Sequence, residues 1–191
     1  MAAQAALVVV DVQLAFDDAT YWGRRNNPDC ERNVQALIEA WREQGHPLVF
    51  VRHDSTEPGS PLRWHEPGNA FKDVVRGEPD LLVVKSVNSA FHGDPDLERW
   101  LRDEGIEEIT VCGIQTNMCC ETTARVGANL GFDVRFAIDA THTFDLTDRD
   151  GMTITADELA RVTAANLDPE FGRVVTAADA IAQLGVPTRP R

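Results

Sequence analysis

Basic residues are scarce in this chain of 191 residues: 18 Lys and Arg stand against 31 Asp and Glu, a formal charge of −13. A surface of that sign repels phosphate, which argues against nucleic acid and anionic membranes as partners. Long apolar runs are also missing. The start MAAQAALVVVDVQ has no basic segment, and its apolar stretch stops at Asp11, too short for a signal peptide or a membrane span, so a cytoplasmic location is expected. Cysteine is limited to Cys30, Cys112, Cys119 and Cys120, with no CxxC pair, and no two histidines stand in HxxxH spacing. No metal site is declared by motif, and free thiols are expected in a chain long enough to be stable without disulfides. The turn from Asp11 to Asp17 contains no glycine, which removes a dinucleotide-binding loop, and no cofactor is expected.

What is present is ample core material, 43% hydrophobic residues, enough for a chain of this mass to bury about 70% of its unfolded surface in one domain spanning 1–191. Short β-branched runs alternate with longer helical patterns. Strands are expected over 6–11, 47–52, 81–85, 109–112, 134–139 and 173–176; helices over 31–44, 95–104, 117–130, 156–166 and 178–184. Val34, Leu37, Ile38 and Trp41 show the spacing of one helix face. Gly45, Gly105, Gly131 and Gly185 fall just past helical patterns, where a left-handed residue is least costly as glycine. Near-continuous Val/Ile/Leu strands between helices describe a three-layer α/β/α sandwich around a six-stranded, mainly parallel sheet. The segments 53–79 and 140–154 read as long loops of a length that is usually functional or disordered, and the tail 186–191 is expected to fray.

In open parallel sheets, ligands bind beyond the carboxyl ends of the strands. An acid, Asp11, ends the first strand; a base, Lys85, ends the third; a thiol, Cys119, follows the fourth in the stretch Gly113-Ile-Gln-Thr-Asn-Met-Cys119. With Thr116 or Asn117 as helix cap, Cys119 falls in the first helical turn, where unpaired N–H groups and the helix dipole favour a thiolate. Lys85 is expected to lower the thiol pKa further, and Asp11 to take its proton.

These blocks resemble the isochorismatase-like cysteine hydrolase superfamily: Asp11-Val-Gln13, Lys85-Ser-Val-Asn-Ser-Ala-Phe91, and Gly113 to Cys119 followed by Glu121-Thr-Thr-Ala-Arg125. The resemblance implies an Asp11–Lys85–Cys119 triad and a cis peptide between Ile114 and Gln115. It also implies an oxyanion hole from the N–H groups of Gln115 and Cys119, strand order 3-2-1-4-5-6, and a homo-oligomer, dimer or tetramer. That order sets Lys85 two strands from Asp11, about 9.6 Å at sheet spacing, within reach of a long lysine.

Nicotinamidases of this superfamily carry a metal-binding Asp-x-His after the second strand, whereas this chain reads Arg52-His53-Asp54-Ser55. His53, Asp54 and His65 could still assemble a metal site, with solvated loop residues as the alternative. Members that cleave isochorismate lack the nucleophilic cysteine, so Cys119 points to hydrolysis of a C–N bond. Gln13, Phe16, Trp22, Trp64 and Phe91 are candidates for a substrate pocket, with loop packing or an oligomer interface as the alternative for each aromatic. Tyr21 shares that region, and His92 and His142 are candidate rim residues outside the catalytic set. The expected activity is a metal-independent cysteine hydrolase acting on a small amide, carbamoyl or lactam compound through a thioester. A redox-responsive or ligand-binding thiol protein without turnover is the alternative.

Overall fold

Ala-Ala-Leu-Val-Val-Val has no polar face, and a strand with that sequence must be covered on both sides. The computed structural model, which describes residues 4–184, places it as strand β1 (Ala5–Val10), buried at every position. β1 lies between β2 (Leu48–His53) and β4 (Glu108–Ile114); β3 (Leu81–Lys85) extends the sheet on one side, β5 (Asp133–His142) and β8 (Arg173–Val175) on the other. The order is β3-β2-β1-β4-β5-β8 and every pair is parallel. It matches the expected 3-2-1-4-5-6, since the sixth sheet strand becomes β8 only because a small antiparallel hairpin precedes it, β6 (Leu146–Thr147) with β7 (Thr153–Ile154).

The strand alternation divides the core in two. Leu7 and Val9 face α2 (Cys30–Glu43) and α6 (Ala177–Ala182), packing with Val34, Leu37, Ile38, Trp41 and Ala180. Ala6, Val8 and Val10 face α3 (Leu97–Asp103), α4 (Glu121–Asn129) and α5 (Ala156–Leu167), packing with Leu97, Leu101, Ala124 and Leu167. Burying both faces of the sheet is what the unbroken apolar strands require.

Several boundaries differ from the expectation. The segment after β4 is not one helix from 117: Thr116–Cys120 forms a π-helical turn, α4 begins at Glu121, and the cap position is Gln115, whose side chain makes no capping bond. Thr116 instead donates its hydroxyl to Thr141 Oγ1 on β5 at 2.8 Å. A one-turn helix α1 (Ala19–Trp22), capped by the Asp18 carboxylate, stands where no element was expected. Within 140–154, β5 runs on to His142 and the hairpin follows. Gly45, Gly105 and Gly131 have φ of +68°, +68° and +90°, as their helix-ending role requires. Gly185 and the tail 186–191 lie outside the described residues.

Candidate active site

The parallel register aims three strand ends at one point. Val10 pairs with Val51, Val51 with Val83, and His53 with Lys85, so Lys85 lies two strands from Asp11 and one residue further along. Its side chain spans that gap: the ammonium donates to Asp11 Oδ2 at 2.6 Å, with side-chain exposures of 0% and 1%. The same nitrogen lies 3.4 Å from Cys119 Sγ and 3.0 Å from His53 Nδ1. Asp11 has φ +52°, a left-handed conformation that an Asp tolerates better than most residues. Its N–H bonds the Val51 carbonyl at 2.9 Å, which fixes the bend that turns the carboxylate inward. The second oxygen, Oδ1, is buried and has no hydrogen-bond partner among the described residues. The carboxylate lies within 4.8 Å of the Cys119 sulfur.

Across the sheet, Gly113 has φ +123°, and a β-carbon there would stand 2.0 Å from the Val10 carbonyl oxygen, so only glycine lets β4 pass β1 this closely. The peptide between Ile114 and Gln115 is cis. The chain then enters the π turn, in which the N–H groups of Met118 and Cys120 both bond the Gln115 carbonyl at 3.2 Å. Thr143 buttresses this turn by donating to Asn117 Oδ1, and its own N–H is held by Asn26 Oδ1 at 2.9 Å. Cys119 is partly exposed, while Cys120 beside it is wholly buried in the core under α4.

The electrostatics correct the expected thiolate. Burial pushes the Cys119 thiol up, the Asp11 charge adds to this, and Lys85 offsets only part, so the resting sulfur carries its proton. Burial works against the Lys85 charge, but Asp11 and the Cys119 sulfur outweigh it and hold the ammonium above its ordinary range. His53 is lowered by burial and by Lys85, and stands neutral at pH 7. The resting site is an ion pair with a neutral thiol and a neutral imidazole.

Of the expected metal set, only His53 reaches this point. Asp54 is held by Arg52 at 2.9 Å and by Asn69 at 2.9 Å, and His65 lies exposed against Glu66. The ligand atoms of Asp11, His53 and Cys119 do lie within 4.8 Å of one another. Lys85 places its ammonium within 3.4 Å of all three, so the residues present do not fit a second cation.

The pocket candidates separate. Gln13 is fully buried and clamps the end of β2: it donates to the His53 carbonyl at 3.1 Å and the Asn69 carbonyl at 2.8 Å, and accepts from the His53 N–H at 2.8 Å. Phe16 is buried in an aromatic group with Trp22 at 4.8 Å and Phe144 at 6.2 Å. Trp22 anchors that group by donating to the Ala15 carbonyl at 2.8 Å. Phe91 stacks on Phe132 at 5.7 Å and fills the space left by Gly127. Trp64 is 73% exposed, edge-on to His65, and Tyr21 is also exposed. His142 is not a rim residue but wholly buried, with both ring nitrogens unpartnered among the described residues. His53, expected only as a candidate metal ligand, is a partner of Lys85. Strand order held that signal, because β2 runs between β3 and β1 and its last residue must lie between their ends.

The isochorismatase domain model matches residues 5–182. Isochorismatase family protein YrdC of Bacillus subtilis (strain 168) is 36% identical over 172 residues, 90% of this chain and 91% of its own. Nicotinamidase 3 of Arabidopsis thaliana is 32% identical over 186 residues, 90% of this chain and 84% of its own. The crystal structure of a hydrolase of the isochorismatase family from Chromobacterium violaceum superposes with a TM-score of 0.89 at 43% identity, covering 95% of this chain and 94% of that one. With an Asp–Lys–Cys arrangement at the carboxyl edge of its sheet and a domain match over nearly its whole length, the chain belongs to the isochorismatase family of cysteine hydrolases.

Proposed function

We propose that this hydrolase cleaves a C–N bond of a small amide, carbamoyl or lactam compound without a metal, through a thioester on Cys119. The observation that carries the reading is the Lys85 ammonium bridging Asp11 Oδ2 and Cys119 Sγ at the carboxyl edge of the sheet. Asp11 takes the thiol proton and the thiolate attacks the carbonyl carbon. Because the proton moves within the site, its net charge does not change, and no new charge has to be desolvated. N–H groups of Gln115 and Cys119 hold the oxyanion. Collapse of the tetrahedral intermediate breaks the C–N bond, and Asp11 returns its proton to the departing nitrogen. Asp11 then draws a proton from a water that attacks the thioester, and the acid leaves as Cys119 recovers its proton.

The nicotinamidase relative favours C–N chemistry, while the Arg52-His53-Asp54 order separates this site from an Asp-x-His metal site. The test is a panel of small amides, ureas and lactams, followed by ammonia or amine release and by intact mass. Turnover with an acyl adduct on the protein, unaffected by chelators, is expected. Turnover lost on chelation and restored by zinc or iron would return the metal to the mechanism. Reversible oxidation of Cys119 with no turnover of any carbonyl compound would favour the redox alternative. A cytoplasmic homo-oligomer, dimer or tetramer, is part of the same reading. The exposed Trp64, Tyr21 and Met152 favour association, and light scattering on the purified chain tests it. No helix among the described residues is long and apolar enough to cross a membrane.

A further inference from the structure

An ammonium group has three protons, and Lys85 finds three acceptors: Asp11 Oδ2 at 2.6 Å, His53 Nδ1 at 3.0 Å and Cys119 Sγ at 3.4 Å. Two of them are the base and nucleophile of the proposed reaction; the third has no role in it. We propose that His53 is a positioning residue, whose Nδ1 accepts the third proton and thereby keeps one N–H of Lys85 directed at the Cys119 sulfur. The inference deepens the hydrolase reading and rests on it.

Three observations support the role. First, His53 is held by its backbone rather than by its ring. Gln13 grips its N–H and carbonyl, and Asn69 adds a bond to the same carbonyl at 3.0 Å. The imidazole is thus delivered to a fixed position beside β3. Second, a lysine donor requires a lone pair on Nδ1, so the ring must be neutral with its proton on Nε2. Burial and the charge of Lys85 keep it neutral, while Asp11 and Asp54, the carboxylates facing it, act the other way and are outweighed. Third, without His53 the ammonium would hold two acceptors of very unequal strength. It would settle on the Asp11 carboxylate, and its bond to the longer, weaker sulfur acceptor would lose direction.

The consequence is kinetic and can be read without knowing the substrate. His53→Phe keeps a ring and removes the acceptor; His53→Asn places a carboxamide oxygen close to the former Nδ1. In His53→Phe the pH midpoint of Cys119 alkylation by iodoacetamide, followed by mass spectrometry, should rise by about half a unit or more, because the thiolate has lost a directed donor. In His53→Asn it should return close to the wild-type value. With a substrate in hand, kcat should fall about tenfold in His53→Phe with KM little changed, and recover largely in His53→Asn. Nitrogen-15 spectra of the unsubstituted protein should show the Nε2–H tautomer at His53, a measurement that survives even if a variant fails to fold. An Nδ1–H tautomer, an imidazolium at neutral pH, a wild-type alkylation midpoint in folded His53→Phe, or a folded His53→Asn as impaired as His53→Phe would each overturn the proposal. If the wild-type protein turns over no carbonyl substrate, the hydrolase reading falls, and the tautomer and alkylation comparison still decide on His53.

Discussion

Two lysines are buried in this molecule, and they are built in opposite ways. Lys72 donates to Asp17 and Glu31, both at 2.7 Å, and Glu31 is shared with Arg25 at 2.7 Å. Burial opposes the charge on Glu31, but Arg25 and Lys72 hold its carboxyl far below the usual range. Every charge there is matched by another, and no proton has anywhere to go. Lys85 has one carboxylate partner, and its other two acceptors are a thiol and an imidazole, both uncharged. A proton can pass from Cys119 to Asp11 beside it without changing the net charge. On the proposed mechanism, burial and pairing alone do not mark a working site; a movable proton next to the pair does.

The largest test of that contrast is at the thiols. Cys119 and Cys120 leave the π turn in different directions: one faces Lys85 while the other is buried in the core. Cys119→Ala should lose all turnover and all acyl adduct. Cys120→Ala should keep most activity and lose stability by about 1–2 kcal/mol, the worth of a small buried side chain. Iodoacetamide should reach Cys119 before Cys30, Cys112 or Cys120, which are fully buried and whose thiols burial also pushes up. Equal damage from both substitutions would support a paired-thiol sensor instead.

Next in size is the exchange of the two lysines for methionine. Lys85→Met should lower kcat/KM about a hundredfold, equivalent to about 2.7 kcal/mol. Its melting temperature should fall less than that of Lys72→Met, since only one of its three partners, Asp11, carries a charge. Lys72→Met should keep activity within about threefold yet lose about 1–3 kcal/mol, or roughly 3–10 °C in a chain of this size, because Glu31 loses one of its two cations. Activity and melting temperature should thus move in crossed patterns. If both variants lose activity in proportion to stability, the two lysines do the same job and the comparison fails.

Sequence carried much of this, for physical reasons that can be named. Unbroken apolar strands with glycine-ended helices specify a parallel sheet covered on both faces, and the end-of-strand rule then selects Asp11, Lys85 and Cys119. The pocket residues were less legible. Phe16, Trp22 and Phe91 sit near the motifs along the chain, but proximity in sequence does not say which way a ring turns, and Phe16 and Phe91 turned into packed structure. Gln13 reads as a polar residue close to Asp11, yet its carboxamide is used up on backbone groups. The thiol's protonation state was hidden for another reason. Helix end and lysine favour the thiolate, and only the depth of burial shows that desolvation wins.

The smallest expected effect belongs to His142, which lies above the Lys72 cluster, 3.9 Å from Glu31 and edge-on to Phe144 at 5.2 Å. Burial first, then the charges of Arg25 and Lys72, lower its pKa to about 3, with Glu31 opposing. The folded chain therefore keeps this ring neutral through mild acid, while the unfolded chain, near 6.5, takes up a proton. Unfolded protein binds more protons in that window, so wild-type stability declines as pH falls through 6.5 and continues to decline until about 3. His142→Phe removes both the titration and two buried nitrogens without a side-chain partner among the described residues. At pH 7.5 the variant should melt within a few degrees of wild type. At pH 5.5 it should have gained about 1.4 kcal/mol relative to wild type, a further 3–4 °C or so. Melting curves at pH 7.5, 6.5 and 5.5 give the answer. A wild-type-to-variant difference that stays constant across them would mean that His142 is protonated in the fold, and the Lys72 cluster would then hold a movable proton after all.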